Sequence, residues 1–94
     1  MGNQYRDKKT EEFANGKFIP QFERCKGKAY EKLEFLESAS RLSDLRNPPS
    51  NHFEKLSGNR KGQYSIRINK QWRICFEWSE ESFRAFNIEI VDYH

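Results

Sequence analysis

Gln63-Tyr64-Ser65-Ile66-Arg67-Ile68-Asn69-Lys70-Gln71-Trp72-Arg73-Ile74-Cys75-Phe76-Glu77-Trp78 is the stretch that decides the fold. Its even positions are apolar: Tyr64, Ile66, Ile68, Trp72, Ile74, Phe76 and Trp78. Its odd positions are Ser65, Arg67, Arg73, Cys75 and Glu77. Period-two alternation sends the two sets to opposite faces of a strand. Matching the apolar faces of two such strands requires an odd-numbered loop, because a slip of one residue would bring Arg opposite Ile in the core. The shortest loop is Asn69-Lys70-Gln71. Ile68 then pairs with Trp72, Arg67 with Arg73 and Ser65 with Cys75. Two arginines opposite each other on an open face repel, so this register predicts a face that attracts an anion.

Working outward, Arg84 to Val91 alternates as a further strand, and Phe53 to Leu56 reads as a short one. Ser57 to Gly62 is a turn between strands. Asn47-Pro48-Pro49-Ser50-Asn51 breaks the chain, and everything before it has a different period. Thr10-Glu11-Glu12-Phe13 looks like a capped helix start, which Asn15-Gly16 ends. A second helical run begins at Pro20 and reaches about Ser40. Its apolar stripe is Phe22, Cys25, Ala29, Leu33, Leu36 and Ala39. Residues 3–8 suit a first strand or an arm around Tyr5. Helices followed by an antiparallel meander give an α+β class: two N-terminal helices packed on a twisted antiparallel sheet. A chain of 94 residues holds one such domain, covering 1–94.

Charge is distributed unevenly. The net charge is only +3. Yet from Lys55 to Phe76 there are Lys55, Arg60, Lys61, Arg67, Lys70 and Arg73 and no Asp or Glu. A cationic patch on rigid strands binds phosphates in a salt-dependent way, which makes Lys55, Arg60, Lys61, Arg67 and Lys70 the candidate contacts to a nucleic-acid backbone beside Arg73. Cys25 and Cys75 are fifty positions apart, without the neighbours of a zinc site or disulfide framework. Two free thiols in a reducing cytoplasm are expected. No secretory h-region and no apolar run of about 20 residues is present, so no membrane association is expected.

The last strand ends on Asp92-Tyr93-His94. A carboxylate, a phenol and an imidazole together suit metal-free RNA cleavage, which needs a base for the 2′-hydroxyl, an acid for the departing 5′-oxygen and cations on the phosphorane-like transition state. An aromatic ring can also stack on a base. His52, just past the Pro-Pro break, reads as an exposed loop histidine that could still reach the basic face. No phosphate-binding Gly loop, nucleophile elbow, His-Glu-x-x-His or helix-turn-helix spacing occurs. Neither a cofactor nor a metal is expected.

Three segments together resemble the HigB-type toxins of the RelE/ParE superfamily: Gly58 to Asn69, Trp72-Arg73-Ile74-Cys75-Phe76, and Ile88 to His94. Asp44-Leu45-Arg46-Asn47-Pro48-Pro49 and the helical front half extend the likeness over essentially the whole chain. The resemblance implies a microbial-RNase-like fold and ribosome-dependent endonucleolytic cleavage of mRNA, through 2′-hydroxyl attack and a cyclic phosphate. The implied partners are the ribosomal 30S A site with its mRNA, and a HigA-type helix-turn-helix antitoxin. Operator DNA would be reached only through the antitoxin complex. Carried over by position, the family's terminal triad falls on Asp92, Tyr93 and His94, and its strand arginine on Arg73. The family's histidine before the turn glycine is Glu54 here, and a lysine beside that glycine is Ser57. The favoured assignment gives proton transfer to Asp92 and His94, the scissile phosphate to Arg73 and substrate orientation to Tyr93. Glu54 and His52 are alternative acid–base groups. Two other readings remain: a ParE-like gyrase poison, and a non-catalytic RNA- or ribosome-binding inhibitor.

Overall fold

The computed structural model describes residues 4–92. The alternating segments form strands β1 (Glu54–Lys55), β2 (Tyr64–Arg67), β3 (Trp72–Ser79) and β4 (Arg84–Asp92). The described residues make one antiparallel sheet in the order β1-β2-β3-β4. The expected register holds: Arg67 pairs with Arg73, Ser65 with Cys75 and Ile66 with Ile74. Asn69-Lys70-Gln71 closes this hairpin. The Asn69 side-chain oxygen accepts from the backbone N–H groups of Gln71 and Trp72, both at 2.8 Å.

The helical half comprises α1 (Lys8–Ala14) and α2 (Lys26–Ser38). Two expectations are corrected here. The α1 cap is Asp7, whose carboxylate accepts the Thr10 N–H at 3.1 Å. Thr10 instead lies inside the helix, fully buried, and its hydroxyl oxygen accepts the β4 N–H of Ile90 at 3.1 Å. The run from Pro20 to Ser40 is also not one helix: Pro20–Cys25 is a 3₁₀ segment leading into α2. Proline at the first helical position has no N–H to lose. The tighter turn still brings Phe22 and Cys25 into line with Ala29, Leu33, Leu36 and Ala39, and all six are buried.

That stripe packs on the even-numbered face of the sheet, where Ile66, Ile68, Ile74 and Phe76 are buried. Aromatic rings fill much of the volume. Phe13 stacks on Tyr30 at 4.4 Å between centroids and meets Phe22 edge-on, and Phe22 meets Trp72 edge-on. Such pairs add about 0.5–1.5 kcal/mol beyond the area they bury.

β4 alternates less simply than its sequence suggests. Ala85 faces the core before Asn87, and Ile88 and Ile90 face it afterwards. A register shift against Cys75–Glu77, with Asn87 at φ 51°, absorbs the change of parity as a bulge. Of the two alternatives for the segment around Tyr5, a first strand or an arm, the structure has the arm. It makes a parallel bridge to Ile88, with Arg6 N–H donating to Ile88 O and Ile88 N–H donating to Gln4 O, each at 2.8 Å. This covers the middle of the β4 edge, where unpaired backbone groups would otherwise be open to other strands.

Candidate functional site

The odd-numbered face of the sheet is not the open surface that the alternation implies. Ser65 and Cys75 are completely buried there. The cover is a layer of charged side chains lying flat on the strands. Arg60 donates to Glu89 at 3.1 Å and to Gln63 at 3.0 Å, and Arg6 lies 3.8 Å from Glu89. Beneath this layer, burial pushes the Cys75 thiol above its ordinary range, with nearby Arg60 and Arg73 acting in the opposite direction. Arg60 is therefore engaged within the fold. Lys61 and Lys70 are exposed.

Arg73 is the centre of the arrangement. Its side chain is only 11% exposed. Nε donates to the Ser65 hydroxyl at 3.0 Å and Nη2 to the His52 carbonyl at 2.6 Å, and the Glu54 carboxylate stands 3.5 Å away. Opposite it, Arg67 donates to the Asn69 carbonyl at 3.1 Å and approaches His52 Nε2 at 3.4 Å. A guanidinium only donates, so the last contact needs His52 Nε2 unprotonated. The cross-strand pair that the register predicted is thus held by neighbouring oxygen and nitrogen acceptors of the protein itself. His52, Phe53, Glu54 and Arg73 line an open depression of about 440 Å³.

His52 owes its position to a buried polar anchor that the sequence does not advertise. It adopts a left-handed backbone (φ 46°, ψ 50°) at the end of the short 3₁₀ turn Pro49–Asn51. Asn51, wholly buried, donates from Nδ2 to the carbonyls of Leu45 and Asn47. Its Oδ1 accepts from Nζ of Lys32, itself buried on α2. Helix α2 therefore fixes the loop whose next carbonyl holds Arg73. Polar residues such as Lys32 and Asn51 ordinarily belong to the surface, and only the mismatch of Lys32 with the apolar stripe of α2 hints at this role.

The other expected site residues are distributed as follows. Glu54 and Lys55 are β1 itself, at the sheet edge, and both are exposed. Asp92 is in register with Trp72, whereas Arg73 is in register with Val91. Cross-strand partners share a face, so Asp92 belongs to the Trp72 side of the sheet and not to that of Arg73. Its carboxylate accepts from Gln71 Nε2 at 3.2 Å. Tyr93 and His94 lie outside the described residues. Among the described residues no group of three or more His, Cys, Asp or Glu is placed to hold a metal ion. Among the described residues no helix is long and apolar enough to cross a membrane.

Comparison with known proteins agrees with this architecture. The family model for HigB-like toxins, described as the RelE-like toxin of the type II toxin–antitoxin system HigB, matches residues 3–94. Toxin HigB-1 of Vibrio cholerae is 43% identical over 82 residues, covering 83% of this chain and 84% of its own. An uncharacterized protein of Haemophilus influenzae is 32% identical over 63 residues, covering 67% of this chain and 62% of its own. Among solved structures, a chain of the YoeB–YefM complex from Staphylococcus aureus superposes with a TM-score of 0.53 at 21% identity, over 100% of this chain and 97% of that one. This last likeness is one of fold.

Proposed function

The chain belongs to the HigB-like toxins, RelE-like toxins of type II toxin–antitoxin systems, and from that premise we propose that it is a ribosome-dependent, metal-independent endoribonuclease that cuts mRNA in the 30S A site and is neutralised by a HigA-type antitoxin. The observation that carries the reading is Arg73, a nearly buried guanidinium held at the edge of a depression that it shares with His52 and Glu54. A cation fixed in this way stabilises negative charge without reorganising as the charge develops.

In the proposed reaction the 2′-hydroxyl oxygen bonds to the adjacent phosphorus and the bond from phosphorus to the 5′-oxygen breaks. The products carry a cyclic phosphate and a 5′-hydroxyl. Arg73 binds the scissile phosphate. Glu54, 3.5 Å from Arg73, accepts the 2′-hydroxyl proton. His94 protonates the departing oxygen, with His52 as the second group able to do so. Tyr93 orients the substrate by stacking. Asp92, bonded to Gln71, anchors the end of β4 ahead of these two residues rather than transferring a proton itself. Lys55, Lys61, Arg67 and Lys70 take up message or ribosomal RNA backbone, while Arg60 mainly braces Glu89.

A translation reaction with purified ribosomes and one defined message tests the reading. Cuts confined to A-site codons and dependent on ribosomes are expected, with no divalent ion required beyond the magnesium that the ribosome itself needs. An intact message accompanied by gyrase-linked DNA breaks would overturn it in favour of a gyrase poison.

A further inference from the structure

We propose that a second groove, next to the Arg73 depression, seats the base and phosphate of a single-stranded RNA nucleotide neighbouring the one that is cut. The inference rests on the ribonuclease reading above and extends it to a substrate subsite. The groove has a volume of about 360 Å³ and is lined by Leu42, Ser43, Arg46, Phe53, Lys55 and Tyr64. Phe53 lines both this groove and the depression holding Arg73, so a strand leaving Arg73 reaches the groove by passing a single ring.

The floor is a preformed column of planar groups. Phe53 stacks on Tyr64 with centroids 5.6 Å apart and 15° between planes, and Tyr64 continues to Phe76 at 6.0 Å. At the outer end the Arg46 guanidinium lies over the Phe53 ring, 5.5 Å from its centroid. Arg46 is exposed, so the far side of its guanidinium is open for a base. Stacking on aromatic rings and on arginine planes is how single-stranded bases are held irrespective of sequence.

Polar groups around the groove are uncommitted. Elsewhere on the sheet and helices the cations Arg6, Lys17, Lys26, Lys28 and Arg60 stand against carboxylates. Among the described residues neither Arg46 nor Lys55 forms an ion pair, and the Tyr64 hydroxyl makes no hydrogen bond. The nearby carboxylate of Asp44 is turned back onto the N–H groups of Ser40 and Arg41. Two cations without an ion pair, a phenol and a planar stack together match a nucleotide: the cations suit its phosphate and the stack suits its base.

The test uses the full chain, ribosomes and a message carrying 4-thiouridine beside the cut. Ultraviolet crosslinks to peptides containing residues 42–46 or 53–64 are expected. In steady-state cleavage, Arg46→Ala should raise KM about tenfold, the scale of one lost base stack, and Tyr64→Leu should raise it several-fold by removing the phenol and the ring that supports Phe53, both with much smaller changes in kcat. Wild-type KM in both variants, with no crosslink to these peptides, overturns the proposal. Normal cleavage by Arg46→Ala together with weakened antitoxin binding overturns it too, by showing a protein interface. A wild-type chain that cuts no message would instead defeat the ribonuclease reading itself.

Discussion

Arg67 and Arg73 stand directly opposite each other across β2 and β3, yet their guanidinium groups part company, one toward Asn69 and His52 Nε2, the other toward Ser65, the His52 carbonyl and Glu54. A like-charged pair directly opposed in a sheet is unfavourable by itself. Here each cation has been given its own acceptors, and His52 serves both through different atoms. The pair is therefore positioned before any substrate arrives, and Arg73, whose side chain is only 11% exposed, is the one proposed for the scissile phosphate.

Glu54 follows from the same arrangement. Replacing it by Gln keeps its size and removes the proposed proton acceptor. Message cleavage by Glu54→Gln should fall by about 10²-fold, the usual contribution of a positioned general base, while the ribosome is bound as before. Primer extension on a programmed ribosome measures the first quantity and cosedimentation the second.

The Lys32–Asn51 anchor is a stability prediction. Asn51→Leu leaves the Lys32 ammonium buried without its acceptor, and two backbone carbonyls lose their donor. A loss of about 2–4 kcal/mol is expected. Lys32→Met should cost less, because it leaves only a neutral amide oxygen unmet. The double variant should cost less than the sum of the two, since the residues share one interaction. Urea unfolding of the three proteins checks all of this.

The N-terminal arm gives a pH prediction. Burial, followed by the 2.8 Å hydrogen bond to Glu37, raises the Tyr5 phenol above its ordinary value. The unfolded chain ionises first, near the reference value of about 10. The contribution of Tyr5 is thus complete below that pH and is lost as pH rises toward the folded value. Tyr5→Phe should lower stability at neutral pH and flatten its alkaline decline. Thermal melts between neutral pH and pH about 11 decide it.

Both thiols are buried, and burial raises each above the ordinary cysteine range. Reaction requires the thiolate and access to it. Iodoacetamide should leave Cys25 and Cys75 unmodified in the folded protein at neutral pH and modify both in denaturant, as mass spectrometry of the intact chain would show.

Much of this molecule is legible in its sequence where a period forces the outcome. The hairpin register from Tyr64 to Phe76 follows because alternation leaves one way to bury Ile66, Ile68, Ile74 and Phe76 together. The α2 stripe follows from spacing in the same way. What escapes is decided by distant partners. Thr10 resembles a helix cap, but Ile90, eighty residues away, takes its hydroxyl, and Asp7 caps instead. Arg60 resembles a free RNA contact until β4 brings Glu89 beside it. The bulge at Asn87 shifts parity by one residue and leaves no compositional trace. Asp92, by contrast, continues the core-facing parity of Ile88 and Ile90 beyond the bulge and pairs with Trp72, so it falls on the face opposite Arg73 although both were assigned to one site.

The measurement that tests the central claim most directly is the single-turnover rate of message cleavage by Arg73→Ala on A-site-programmed ribosomes, with ribosome affinity measured in parallel. The expected result is a rate about 10²–10³-fold below wild type, the loss typical of removing one preorganised charge-stabilising donor, with affinity within a few-fold of wild type. Cleavage at the wild-type rate by a folded Arg73→Ala protein would contradict it.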